Sequence, residues 1–121
     1  MYGLDQLYQL NVAPDAGSLA VRAVLANLTS GDRVIWTKPA AASPWTMVKL
    51  LGFQDGEVFP VNAARGGSIM LVSEMKTGVI GSSFAALGEL LVNGQPVPGS
   101  RQHLSGSFTQ NIRIEGIQWN I

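Results

Sequence analysis

The stretch Leu104-Ser-Gly-Ser-Phe108-Thr-Gln-Asn-Ile112-Arg-Ile114-Glu-Gly116-Ile117-Gln-Trp119-Asn-Ile121 decides the fold. Phe108, Ile112 and Ile114 fall on even positions, with polar residues between them. That is the period of two of a half-buried β-strand. Ile117, Trp119 and Ile121 fall on odd positions, and Gly116 stands at the change of phase. The pattern predicts one long strand whose second half turns its apolar side the other way. A bulge at Gly116, inserting one unpaired residue, would produce that switch. Leu104 to Ile114 would then close the domain's own core. Ile117, Trp119 and Ile121 would face a second sheet, the N-terminal arm or another subunit.

Working outward, the same grammar recurs. Residues 2–13 fit either an extended arm (Tyr2, Leu4, Tyr8, Leu10 and Val12 share one parity) or a short helix, and Pro14-Asp15-Ala16-Gly17 ends them. Residues 18–28 also read both ways. The turn chemistry of Thr29-Ser30-Gly31-Asp32 and the β-branched run Arg33–Thr37 favour strand, tight turn, strand. Lys38–Pro44 is a loop, and Trp45–Phe53 is a strand. Asp55-Gly56 suits a hairpin leading to Val58-Phe59-Pro60-Val61, where Pro60 marks an edge or a bulge. Ile69-Met70-Leu71-Val72 is apolar on both faces and predicts a central, fully buried strand. After the turn Lys76-Thr77-Gly78, Val79-Ile80 begins another strand. Phe84–Leu87 is open between a helical turn and a strand. Asn93-Gly94 is the strongest two-residue hairpin signal.

The count is seven or eight short strands with turn signals every eight to twelve residues. The expected fold is all-β: a single β-sandwich, jelly-roll-like, with residues 1–17 as an N-terminal arm and 18–121 as the sandwich domain. With 121 residues the chain can bury one real core.

Composition narrows the function. Charged residues make up 13% of the chain, against roughly 25% in a typical soluble domain. Eight basic residues balance eight acidic ones, so nothing in the net charge keeps copies apart. The basic residues are scattered singly, which argues against nucleic acid. No apolar run approaches the roughly 20 residues that span a bilayer, and the N-terminus has no basic-then-apolar leader. A soluble, cytoplasmically made protein is expected.

Chemistry is signalled weakly. Cysteine is absent, so no disulfide, thiolate metal site or cysteine nucleophile exists. The lone His103 has Ser105 two residues on, which shares a strand face without making a nucleophile–base pair. Asp55 and Glu57 are explained by their turn. Arg65-Gly66-Gly67-Ser68 could form an anion nest but lacks the lysine and helix of a phosphate loop. Asn27-Leu28-Thr29 matches a glycosylation acceptor, read as chance without a secretory signal. Trp45, after Pro44, could stack on a sugar, but an interface or core anchor is the stronger reading. No catalytic residue, metal or cofactor is expected.

The Gly/Ser/Ala/Asn/Gln-rich texture, the sandwich and the apolar chain ends resemble small bacteriophage virion proteins, above all capsid cement or decoration proteins. That resemblance implies a non-enzymatic subunit, located in the virion, that clamps a capsid lattice. Its partners would be copies of itself and a major capsid protein. Tyr2, Leu4, Tyr8, Leu10, Trp45, Ile117, Trp119 and Ile121 are the expected interface residues. A phage tail or baseplate component and a glycan-binding sandwich are the alternatives.

Overall fold

The computed structural model describes residues 3–26, 30–51 and 57–121. Among them there is no helix. Ten strands form two sheets: β1 (Gln6–Asn11), β2 (Leu19–Ala26), β3 (Ser30–Lys38), β4 (Thr46–Leu51), β5 (Glu57–Val61), β6 (Ser68–Lys76), β7 (Ser83–Val92), β8 (Gln95–Pro96), β9 (Gln102–Ser107) and β10 (Ile112–Asn120). Sheet one has the order β1-β10-β6-β3-β4. Sheet two has the order β5-β2-β7, with β8 and β9 both pairing β7. The core lies between them, built from Ile35, Ile69, Leu71, Met75, Ile117 and Trp119 of the first sheet and Val21, Ala23, Phe84, Leu90 and Leu104 of the second.

The expected all-β sandwich is present, with more strands than the seven or eight anticipated. The arm supplies β1, and the chain beyond Asn93-Gly94 supplies the two-residue β8. The stretch 104–121 is two strands in different sheets rather than one. Phe108 sits in the crossing between them, buried and packed edge-to-face on Phe84 with ring centroids 5.3 Å apart.

Several local readings hold. β6 is the middle strand of sheet one and is buried along most of its length. β5, with Pro60, is an edge strand, where its missing N–H leaves no gap in a ladder. Phe84–Leu87, open in the sequence between a helical turn and a strand, is strand. Asn93 and Gly94 have φ of 50° and 80° and join β7 to β8, with Leu91 opposite Pro96 and Val92 opposite Gln95.

Others do not. β2 and β3 are not a hairpin: β2 lies between β5 and β7, and β3 between β6 and β4. Ser30 to Asp32 belong to β3 itself, and residues 27–29 lie outside the described residues. β4 and β5 likewise belong to different sheets, so the Asp55-Gly56 segment, also outside the described residues, does not close a hairpin. Turn chemistry reports that the chain reverses. It does not report whether the returning strand pairs beside its predecessor or crosses to the opposite layer. Val79-Ile80 is a turn that precedes β7.

Gly116 carries no bulge. β10 and β6 pair in one continuous register from Ile112 opposite Lys76 to Asn120 opposite Ser68. Odd positions of β10 face the core throughout. The apparent switch of phase arises because the inward positions Arg113 and Glu115 carry an ion pair (2.8 Å), while Ile112 and Ile114 point outward. Gly116 faces outward under the arm: a Cβ there would meet Leu4 and Leu7 at 3.1 Å.

Candidate functional site

The arm docks on its own domain. β1 runs parallel to β10, from Gln6 opposite Glu115 to Asn11 opposite Asn120. Asp5 anchors its start: the Asp5 N–H donates to the Ile114 carbonyl (2.7 Å), and the Asp5 carboxylate accepts from the Ile114 N–H (2.8 Å). Tyr8 and Leu10 therefore turn inward and pack, half-buried, against the core. Leu4 and Leu7 cover the outer side at Gly116. Tyr2 lies outside the described residues.

Ile117 and Trp119 are both 0% exposed. They belong to the core between the sheets, which corrects their placement on an inter-subunit surface. The strand is buried because β1 covers its far edge and sheet two covers its inner face. Ile121 is half-buried against the same core and ties to the neighbouring loop: its N–H donates to the Gly67 carbonyl (3.0 Å), and its carbonyl accepts from the Gly66 N–H (2.6 Å). Trp45 is half-buried in the loop before β4.

Large aliphatic side chains reach solvent in separate places. Val79 and Ile80, 67% and 57% exposed, cap the turn between β6 and β7, with exposed Ile112 at the adjoining start of β10. This tip is well fixed. Thr77 Oγ1 accepts from the Val79 N–H (3.1 Å), the Ser82 hydroxyl donates to the Val79 carbonyl (2.7 Å), and the Gly81 N–H donates to the Phe108 carbonyl (2.8 Å). The exposure of Val79 and Ile80 is thus built in rather than a consequence of a loose loop. A second set lies where β4 and β5 meet at the side of the sandwich. Met47 is opposite Trp36, and Val48 is the extra residue of a bulge between the pairs Ile35–Lys49 and Trp36–Met47. Val58 lies opposite Arg22.

At the end away from the tip, a cleft of about 670 Å³ opens between Val12, Pro14, Asp15, Leu19, Arg65 and Ile121. Polar and apolar groups line it in near-equal measure, with the opposite charges of Asp15 and Arg65 among them. The Arg65-Gly66-Gly67 turn beside it is no anion nest, since the Gly66 and Gly67 N–H groups are spent on Ile121 and Ala64 carbonyls. Gly67 is needed for close approach: a Cβ would lie 2.5 Å from the Lys38 carbonyl oxygen.

Besides the Lys76–Glu74 pair (3.3 Å), two arrangements of charged side chains stand out among the described residues. Arg113 Nε donates to Glu115 Oε2 (2.8 Å), and this hydrogen bond holds the guanidinium above its ordinary pKa against the lowering effect of burial. On the outer face of sheet two, the fully buried Glu89 is held between two arginines: Arg22 Nη1 donates to Oε1 (3.1 Å) and Arg101 Nε to Oε2 (3.0 Å). No spacing rule in the sequence joins positions 22, 89 and 101, so this cluster had no local signature.

Among the described residues no group of three or more His, Asp or Glu side chains could hold a metal ion. His103 and Ser105 are both exposed on β9, and no hydrogen bond joins them. No helix of the described residues is long and apolar enough to cross a membrane. Comparison of the chain with known protein families, with curated proteins and with solved structures finds no match.

Proposed function

We propose that this protein is a non-enzymatic structural subunit that acts by packing against other protein chains. The observation that carries this reading is the turn at Val79-Ile80: two large aliphatics held out into solvent by a hydrogen-bonded frame. Together with exposed Ile112 they form an apolar tip on a charge-poor surface of zero formal net charge, which offers little repulsion between copies. The finer reading is a bacteriophage particle, with the subunit stabilising the capsid as a cement or decoration protein. Copies of the chain and a major capsid protein are its partners on that reading. A tail or baseplate location uses the same surfaces.

The arm's contribution differs from that of a free tether. β1 is spent on β10, so the chain presents a finished sandwich and associates through its tip and its outer faces. The test is stoichiometry and heat stability of purified particles. A cement subunit is present in fixed copy number, and particles lacking it lose their contents at lower temperature. A monomeric chain at high concentration that is absent from particles would sink the reading.

A further inference from the structure

The outer face of sheet two carries an arrangement that packing alone does not require. Glu89 lies between the inward positions Gly88 and Leu90 of β7, so its carboxylate points outward, yet the residue is 0% exposed. A carboxylate covered to that degree needs charged donors on its oxygens. Arg22 supplies one and Arg101 the other. One guanidinium would neutralise the charge. The second leaves a formal excess of one positive charge fixed at this spot, on a chain whose net charge is zero.

Donor arithmetic points the same way. A guanidinium carries five N–H donors in a planar fork. The Arg22–Glu89 contact uses Nη1 and the Arg101–Glu89 contact uses Nε. Among the described residues no further acceptor takes the rest. Both arginine side chains remain open to solvent, at 42% and 53% exposure. The shared carboxylate fixes both side chains, so binding a further anion costs less side-chain ordering than at two free arginines. His103 lies on the same outer face, opposite Leu87 in the next row of the sheet.

We propose that Arg22 and Arg101 form a binding site for an oxyanion, with His103 at its border. The ligand class is a carboxylate or phosphate group, supplied by an acidic side chain of a partner or by a free small anion. The two guanidiniums would donate to it with the N–H groups that Glu89 leaves over.

The test is a titration of the full chain, followed by amide and side-chain resonances, with inorganic phosphate and in parallel with a capped glutamate peptide. Sodium chloride at matched ionic strength is the reference. The site predicts saturable shifts centred on residues 22, 87–89 and 101–103 that chloride does not reproduce. Arg101→Gln retains the Arg22–Glu89 pair and so keeps the fold. It should weaken binding about tenfold, the loss of one charge-assisted hydrogen bond. Arg101→Lys keeps the charge but loses the fork, and should fall between. Lys76→Gln, at a cation on β6 of the other sheet, should bind as the unaltered chain does. Tighter binding of the peptide than of phosphate assigns the anion to a partner's side chain, and the reverse assigns it to a free anion. Shifts spread evenly over all basic residues, equal binding by Arg101→Gln, or no saturable binding of either probe would overturn the proposal.

Discussion

The indole Nε1–H of Trp119 donates to the carbonyl oxygen of Ser100 at 2.6 Å, joining the last strand of sheet one to the turn that leads into β9 of sheet two. Ser100 is itself buried. Its hydroxyl accepts from the Leu90 N–H (3.1 Å) and lies 2.7 Å from the Val97 carbonyl, to which it donates. One side chain near the end of the chain therefore fastens both layers. Trp119→Ala should cost about 3–5 kcal/mol, as other buried aromatic truncations do. That is a large part of the whole stability of a domain this size. Removing residues 117–121 should abolish cooperative unfolding altogether. Denaturant melts of the two variants check this, and a truncated chain that still unfolds cooperatively contradicts it.

Gly88 tests the packing opposite that tryptophan. A Cβ at Gly88 would stand 2.9 Å from Leu71 Cδ2, 3.0 Å from Ile117 Cδ1 and 3.3 Å from the Trp119 ring. The side chains that would have to yield are held in the middle of the core. Gly88→Ala is therefore expected to destabilise by about 1–3 kcal/mol through overpacking. Leu71→Ala in the same chain should not restore stability fully, because the cavity it leaves is larger than one methyl group. Equal stability of Gly88→Ala and the unaltered chain would show that the sheets can move apart there at no cost.

What could be read from the sequence was local. The apolar run at Ile69–Val72 is enough to place β6 in the middle of a sheet, buried along most of its length, and Asn93-Gly94 is enough to place a tight hairpin. Layer assignment was not legible, because the chain crosses between sheets at β1–β2, β2–β3, β4–β5, β5–β6, β6–β7 and β9–β10. A turn signal looks alike in either case. The phase of β10 is hidden in the sequence for a different reason. Arg113 and Glu115 pair with each other on the inward face, so polarity there does not mean exposure. The β-branched pair Val79-Ile80 has strand propensity, yet the hydrogen bonds of Thr77 and Ser82 hold it in a turn. Glu89 was invisible as a site, since its partners lie 67 and 12 residues away in the chain.

The Arg113–Glu115 pair makes a prediction about pH. The hydrogen bond to Glu115 raises the Arg113 pKa above its ordinary value, despite the opposing effect of desolvation. A cation whose folded pKa is raised contributes stability that is fully present below the unfolded value. That stability is lost only as pH climbs through the folded value, which here lies far into the alkaline range. Arg113→Gln should therefore lose the same amount of stability at pH 6 as at pH 10. Urea melts of both chains at the two values check it. A penalty that shrinks at pH 10 would mean that the pair is not what holds Arg113 charged.

Gly116 and the arm should respond together. Leu4 and Leu7 lie 3.1 Å from where a Cβ would be, and both contacts are the ends of flexible side chains. Gly116→Ala should cost well under the Gly88 substitution, since leucine rotamers at the surface can give way. Gly116→Val adds two more carbons under the arm and should loosen residues 3–7 while leaving the core intact. Limited proteolysis reads this as faster cleavage near the N-terminus with an unchanged melting temperature of the remaining domain. Unchanged protection would place the hold on the arm in its parallel ladder with β10 alone.

The tip separates surface chemistry from stability. Val79 and Ile80 are largely exposed, and the frame of the turn is made by Thr77, Ser82 and backbone groups rather than by the two aliphatic side chains. Replacing both by serine removes apolar area from the surface without touching those bonds. Folding stability should stay within about 0.5 kcal/mol, the usual span for exposed positions. Association should change, because apolar area exposed at this tip is what a partner would bury. Analytical ultracentrifugation of Val79→Ser/Ile80→Ser at high concentration should show weaker self-association than the unaltered chain, and, on the proposed cement role, particles supplied with it should retain fewer copies. Thr77→Val in an otherwise unaltered chain provides the converse. It keeps the aliphatics but loses the hydroxyl that accepts from the Val79 N–H, so the tip loses its fixed shape. If association follows apolar area alone, Thr77→Val leaves it intact. If it needs the tip held in place, both variants lose it, and the hydrogen-bonded frame is part of the interface.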